Sequence, residues 1–176
     1  MFGCMASLPR DIRILLLADS HLGFDHPLRP RIQRRRRGLD FLSNYRKACQ
    51  EAIEERVDAL FHGGDVFHRP DPPASLVYQA FQPLKEVADA GIPVFVVPGN
   101  HERSRIPFEA LARHPGVHVF REPATVRLTL AGADAAVSGI PCIRRHPRTQ
   151  FPEALQRTGW RSTDAELRLL LAHQAF

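Results

Sequence analysis

Four short apolar runs, residues 12–18, 58–62, 92–97 and 167–172, recur along the chain, and polar residues follow each of them at once. Runs of this length fit buried strands better than core helices. Between the first three lie segments of helical spacing. Residues 39–56 place Leu39, Leu42, Tyr45, Cys49, Ala52 and Ile53 on one face, and residues 74–90 do the same with Leu76, Ala80, Leu84 and Val87, which is the three-and-four rhythm of an amphipathic helix. Pro83 is expected to kink or divide the second of these. Short strands alternating with helices predict a layered α/β fold. After Pro115 the pattern changes to VHVF, ATVRLTLAG and DAAVSGI. These short β-prone pieces, with a hairpin turn near residues 131–134, predict a second and largely antiparallel sheet.

The chain's 176 residues and 44% hydrophobic content suit one domain, residues 1–176, with a substantial core. A net charge of +5, from 24 basic against 19 acidic residues, leans toward acidic partners such as nucleic acid. Cys4, Cys49 and Cys142 are scattered, with no CxxC pair. Neither a disulfide framework nor a cysteine zinc site is indicated, and a reducing cytoplasm fits. The run at residues 12–18 is far shorter than the roughly 18 residues a spanning helix needs, so a cytoplasmic chain with no membrane partner is expected.

The polar residues after the runs carry the chemistry. They are Asp19-Ser20-His21, Gly63-Gly64-Asp65, Gly99-Asn100-His101 and His173. Ligands of open α/β sheets bind beyond the carboxyl ends of the strands, so the four clusters are expected to converge. Asp19 and His21, two residues apart in extended chain, would aim at one point. Glycines 63, 64 and 99 let backbone approach that point. Two carboxylates, an amide oxygen and several imidazoles form a mixed oxygen and nitrogen donor set suited to manganese, iron or zinc. Without a cation, Asp19 and Asp65 would repel each other.

In this order, Asp-x-His, Gly-Gly-Asp, Gly-Asn-His and a later strand-end histidine resemble the calcineurin-like metallophosphoesterases. More narrowly, DSHLGF, the arginine-rich stretch into RRGLDF, VDALFHGGDVFHRPDPP and IPVFVVPGNHE are similar to the SbcD-type DNA repair exonucleases. The resemblance covers residues 12–102 well and the remainder through LRLLLAHQ. It implies a four-layer αββα sandwich that holds two divalent metal ions, with Mn2+ first and Fe2+, Zn2+ or Mg2+ as alternatives. The implied reaction is phosphodiester hydrolysis by a metal-activated hydroxide. By resemblance Asp19 and His21 bind one metal, Asp65 bridges both, and Asn100 and His173 bind the other. His101 faces the scissile phosphate as the catalytic residue, and His68 helps to place the DNA strand. DNA, an SMC-like ATPase of the SbcC type and a second copy in a homodimer are the implied partners.

Glu102 stands where the family usually has Asp, one methylene further from the His101 it is expected to orient. The family's closing Gly-His-x-His segment is absent, and no Gly-His pair occurs in the chain. The expectation is therefore an N-terminal fragment that lacks its C-terminal strands and, as written, binds metal poorly and hydrolyses little. The arginine-rich run at residues 29–37 is a candidate DNA contact or a solvated helix start, and Arg144, Arg145 and Arg148 are a weaker candidate. His62 is expected to be a packed strand residue. Two rival functions stand beside the nuclease: a phosphoesterase for a small phosphate ester or nucleotide, and a non-catalytic DNA- or partner-binding module with an incomplete metal site.

Overall fold

The computed structural model describes residues 11–24, 38–102 and 105–174. The arginine run at residues 29–37 lies outside them. The elements follow in the order β1 (Ile14–Leu17), α1 (Gly38–Glu54), β2 (Ala59–His62), α2 (Ala74–Asp89), β3 (Val94–Val96), α3 (Phe108–Ala112), β4 (Val117–Val119), β5 (Ala124–Leu130), β6 (Ala133–Ile140), α4 (Pro147–Arg157) and β7 (Leu167–Ala172).

Strands β1 to β4 form one parallel sheet in sequential order. Successive side chains of a strand face opposite ways, and both faces of this sheet are covered. Leu60, Val94, Val96 and Val117 enter a core with Leu42, Tyr45, Cys49, Leu84 and Val87 of the helices. Ala59, Phe61 and Phe95 enter a second core with Leu130, Ala135, Val137 and Leu171 of the later strands. That double burial is why β2 and β3 read as unbroken apolar runs. Helix α1 buries Leu42, Tyr45, Cys49 and Ala52, and the Tyr45 hydroxyl donates to the Ala80 carbonyl of α2 at 2.9 Å.

Several expectations are corrected. Helix α2 runs through Pro83 as one element. Pro83 is itself buried beside Ala80, Leu84 and Val87, and packing on both sides of the proline outweighs the one missing N–H. The VHVF segment belongs to the parallel sheet as β4, because α3 brings the chain back in the same direction. The second sheet, in the order β5-β6-β7, is mixed: β5 and β6 are antiparallel, whereas β6 and β7 are parallel. Helix α4 makes that crossover. The expected hairpin joins β5 to β6 through Ala131 and Gly132, with φ of 51° and 92°. Positive φ at both positions is the turn geometry that matches strand twist.

Candidate metal centre

Beyond their last paired residues β1 and β2 stay side by side. The Asp19 N–H donates to the Gly64 carbonyl at 3.0 Å, that of His21 to Asp65 at 2.9 Å and that of Leu22 to Val66 at 2.8 Å. The two loops are therefore held in register, and their side chains meet. Asp19, His21 and Asp65 adopt φ of 52°, 43° and 53°, a left-handed conformation that costs a non-glycine residue about 1–3 kcal/mol. Strain of this kind at three chemistry-bearing positions marks a functional site. Gly64 and Gly99 are obligatory here for different contacts. A Cβ on Gly64, whose φ is 102°, would meet His173 Nδ1 at 2.5 Å, and one on Gly99 would meet Asp65 Oδ1 at 2.1 Å.

Asp65 sits at the centre. Its Oδ1 accepts the His101 N–H at 2.9 Å. Its Oδ2 lies 3.8 Å from His21 Nε2, 3.9 Å from His101 Nε2 and 3.7 Å from His173 Nε2. His21 Nε2 is also 3.7 Å from Asp19 Oδ1. His173 reaches the centre from β7, in the other sheet. Its Nδ1–H donates to the Gly63 carbonyl at 2.7 Å, so Nε2 of the neutral ring is an acceptor. Nε2 nonetheless lies 3.0 Å from Asn100 Oδ1. Two acceptors aimed at each other need a proton or a cation between them.

The charge balance points the same way. Asp65 and Glu102 are buried, 3% and 4% exposed, and buried carboxylates require compensation. Burial pushes the Glu102 carboxyl up from its ordinary value, against the backbone N–H groups of Gly99 and Phe67 that stabilise its charge. Asp19, His21, Asp65, Asn100 and His173 thus offer a donor set that fits divalent cations.

Glu102 does something other than expected. Its carboxylate accepts N–H bonds from Gly99 at 2.6 Å, Asp65 at 3.1 Å and Phe67 at 3.1 Å, stitching the loop after β3 to the loop after β2. The extra methylene takes it to backbone donors. His101 is held instead by the His68 carbonyl, which accepts its Nδ1–H at 2.7 Å. His62 is buried as expected, yet it also ties the loops. Its Nδ1 accepts the Gly64 N–H at 3.2 Å, so its Nε2–H donates to Ser20 Oγ at 2.9 Å. Burial, with His173 nearby, lowers its pKa to about 4. Arg144 donates to the carbonyls of Asn100 and Glu102, so part of its donor capacity is spent on the third loop. The sequence marked His62 as a packed strand residue and Glu102 as a partner for His101, but not the groups that residues 62, 102 and 144 hold, because those partners lie 35 or more positions away or depend on a turn not yet formed.

His68 joins His21 and His101 in a cluster of imidazoles. An open cleft of about 910 Å³ approaches from the other side, lined by Asp19, Asn100 and His173 together with Leu16 and Leu170.

A family model described as Calcineurin-like phosphoesterase matches residues 12–174. The DNA double-strand break repair protein Mre11 of Halobacterium salinarum is 37% identical over 93 residues, 53% of this chain and 23% of that protein. The Mre11 protein of Thermoplasma acidophilum is 26% identical over 164 residues, 90% of this chain and 42% of its own length. The chain thus spans less than half of these relatives. A dimetal phosphatase from Danio rerio aligns over 51% of this chain and 29% of its own, with 22% identity and a TM-score of 0.35.

Proposed function

The chain belongs to the calcineurin-like phosphoesterase family, with distant homology to archaeal Mre11 over part of its length, and on that premise we propose that it is a metal-dependent DNA nuclease of repair. The observation that carries the reading is Asp65 Oδ2, placed 3.7–3.9 Å from imidazole nitrogens of three separate loops. Similarity to proteins named for double-strand break repair favours DNA over a small phosphate ester. The fold is read as the αββα sandwich, with α4 over the outer face of the mixed sheet. The Thr158 carbonyl at the end of α4, which accepts from Thr125 Oγ1 of β5 at 2.7 Å, supports that layer.

In this reading Asp19 and His21 hold one cation, Asn100 and His173 the other, and Asp65 serves both. Two divalent cations, when bound, supply Lewis-acid polarisation of the phosphate and lower the pKa of a water. The protein's own part is orientation and proton handling. The His68 carbonyl fixes the Nδ1–H tautomer of His101 and leaves Nε2 facing the centre, where as imidazolium it donates a proton to the departing alkoxide. His68 stands beside it to position the strand. Phe24, half exposed and 4.8 Å from the His68 ring, offers an apolar face at the same entrance. No helix among the described residues is long and apolar enough to cross a membrane. An SMC-like ATPase and a second copy are the proposed partners, and the cytoplasm is the proposed location.

The test is a manganese-dependent assay of the natural gene product on linear, circular and hairpin DNA, beside a chromogenic phosphodiester. Cleavage of DNA ends is expected. Hydrolysis of the small ester alone would overturn the nuclease reading.

A further inference from the structure

The connection from β6 to α4 carries Arg144 and Arg145 past the third strand-end loop. Its backbone is pinned there: the Cys142 N–H donates to the Pro98 carbonyl at 3.0 Å, and the Ile143 N–H to Gln174 Oε1 at 3.0 Å. On one side lies the cleft that opens on Asp19, Asn100 and His173. On the other lies a second cleft of about 600 Å³, whose lining includes Gly99, Glu102, Arg121, Arg145 and Gln150. Cys142, Ile143 and Arg144 line both, so they form a ridge between two adjoining openings.

The second cleft is basic. Arg144 spends Nη2 on the carbonyls of Asn100 and Glu102, which fixes its guanidinium on the ridge and leaves its other nitrogens for a ligand. Arg145 is exposed and has no hydrogen-bond or ion-pair partner among the described residues. Arg121 pairs with Glu109 at 2.5 Å, but both side chains are more than half exposed, and such a pair holds its arginine weakly. The one carboxylate in the lining, that of Glu102, is buried and turned to the N–H groups of Gly99, Asp65 and Phe67. Guanidinium groups present a fork of donors that matches phosphate oxygens.

We propose, on the premise of the nuclease reading, that this second cleft holds one strand of the nucleic-acid substrate beside the metal centre, with Arg144 on the ridge and Arg145 beyond it bound to neighbouring backbone phosphates. A cleft of this volume takes one drug-sized molecule, which suits a single strand and excludes a duplex. Adjacency to the metal centre selects a phosphodiester backbone over an acidic peptide, because the polymer that presents its scissile phosphate to the centre carries the next phosphates over the ridge.

The test is the salt dependence of binding. A labelled single strand of about twelve nucleotides, with phosphorothioate linkages that keep the backbone charge and resist hydrolysis, is titrated into the manganese-loaded natural gene product and followed by fluorescence anisotropy. Arg145→Gln should lower the slope of log affinity against log salt by about 0.7, the value of one single-strand phosphate contact, and weaken binding about fivefold at 0.1 M salt. Arg145→Lys should restore the slope, and manganese content, the folding control, should stay unchanged in both. An unchanged slope in Arg145→Gln would overturn the strand path, whether or not DNA is cut. Displacement of the strand by polyglutamate at equal charge concentration would overturn the assignment to nucleic acid. A slope that falls as expected, in a protein that cleaves no DNA, would instead overturn the nuclease reading and leave the cleft as a strand-binding site.

Discussion

The two sheets contribute to the centre very unequally. Loops from the parallel sheet bring Asp19, His21, Asp65 and Asn100, and the mixed sheet brings His173. The parallel-sheet loops are braced by buried groups from their neighbours: Glu102 holds three backbone N–H groups, and His62 links Gly64 to Ser20. His173 has one anchor to backbone, the Gly63 carbonyl. The strands differ likewise. In β2 and β3 every residue is buried, whereas in β7 only Leu171 is, and Leu170 is 38% exposed. Rigidity is built where the strained candidate ligands are held, and His173 is added from a more open edge.

This contrast predicts a ranking. Glu102→Ala should cost the most, because it leaves buried N–H groups of Asp65, Phe67 and Gly99 without an acceptor. A loss of roughly 3–5 kcal/mol in urea unfolding is expected. A loss below about 1 kcal/mol would show that Glu102 does not brace the loops.

His62 gives the next effect, and a pH dependence. Its folded pKa is lowered to about 4 by burial, while in the unfolded chain the ring titrates near 6.5. Between these values the unfolded state takes up a proton that the folded state refuses. The stabilisation is therefore complete above about pH 6.5 and is lost as pH falls toward 4, by up to about 3 kcal/mol. Unfolding curves of wild type and His62→Gln across this window should differ in slope, and parallel curves would remove His62 from the account.

His173→Ala should cost about 1 kcal/mol, for its bond to the Gly63 carbonyl, and should lower metal content with little loss of fold. Equal destabilisation by His173→Ala and Glu102→Ala would erase the contrast between the sheets. Smallest of all, Leu16→Ser and Leu170→Ser change exposed side chains. They should move stability by no more than about 0.5 kcal/mol while reducing self-association measured by light scattering.

The first half of the molecule was legible because its signals are local. Strand runs buried on both faces are uniformly apolar, α1 shows a clean face through Leu42, Tyr45, Cys49 and Ala52, and the polar residues at the strand ends lie within five positions of the strands. The second half was less legible. Helix α4 carries Pro147 and Pro152 and buries only Ala154, so it offers no apolar rhythm, and without it the parallel pairing of β7 with β6 could not be foreseen. The sequence likewise could not show that Glu102 would reach backbone rather than His101. A methylene's extra length acquires meaning only when the loops after β2 and β3 lie side by side.

The central claim is that Asp65 serves two cation positions while His101 serves the phosphate. Manganese bound per chain, measured by equilibrium dialysis at saturating metal for wild type, Asp65→Ala and His101→Ala, tests it most directly. Two equivalents are predicted for wild type, near zero for Asp65→Ala, and two for His101→Ala with turnover lowered by about 10²–10⁴-fold. Two equivalents retained in Asp65→Ala, or metal lost from His101→Ala, would contradict it.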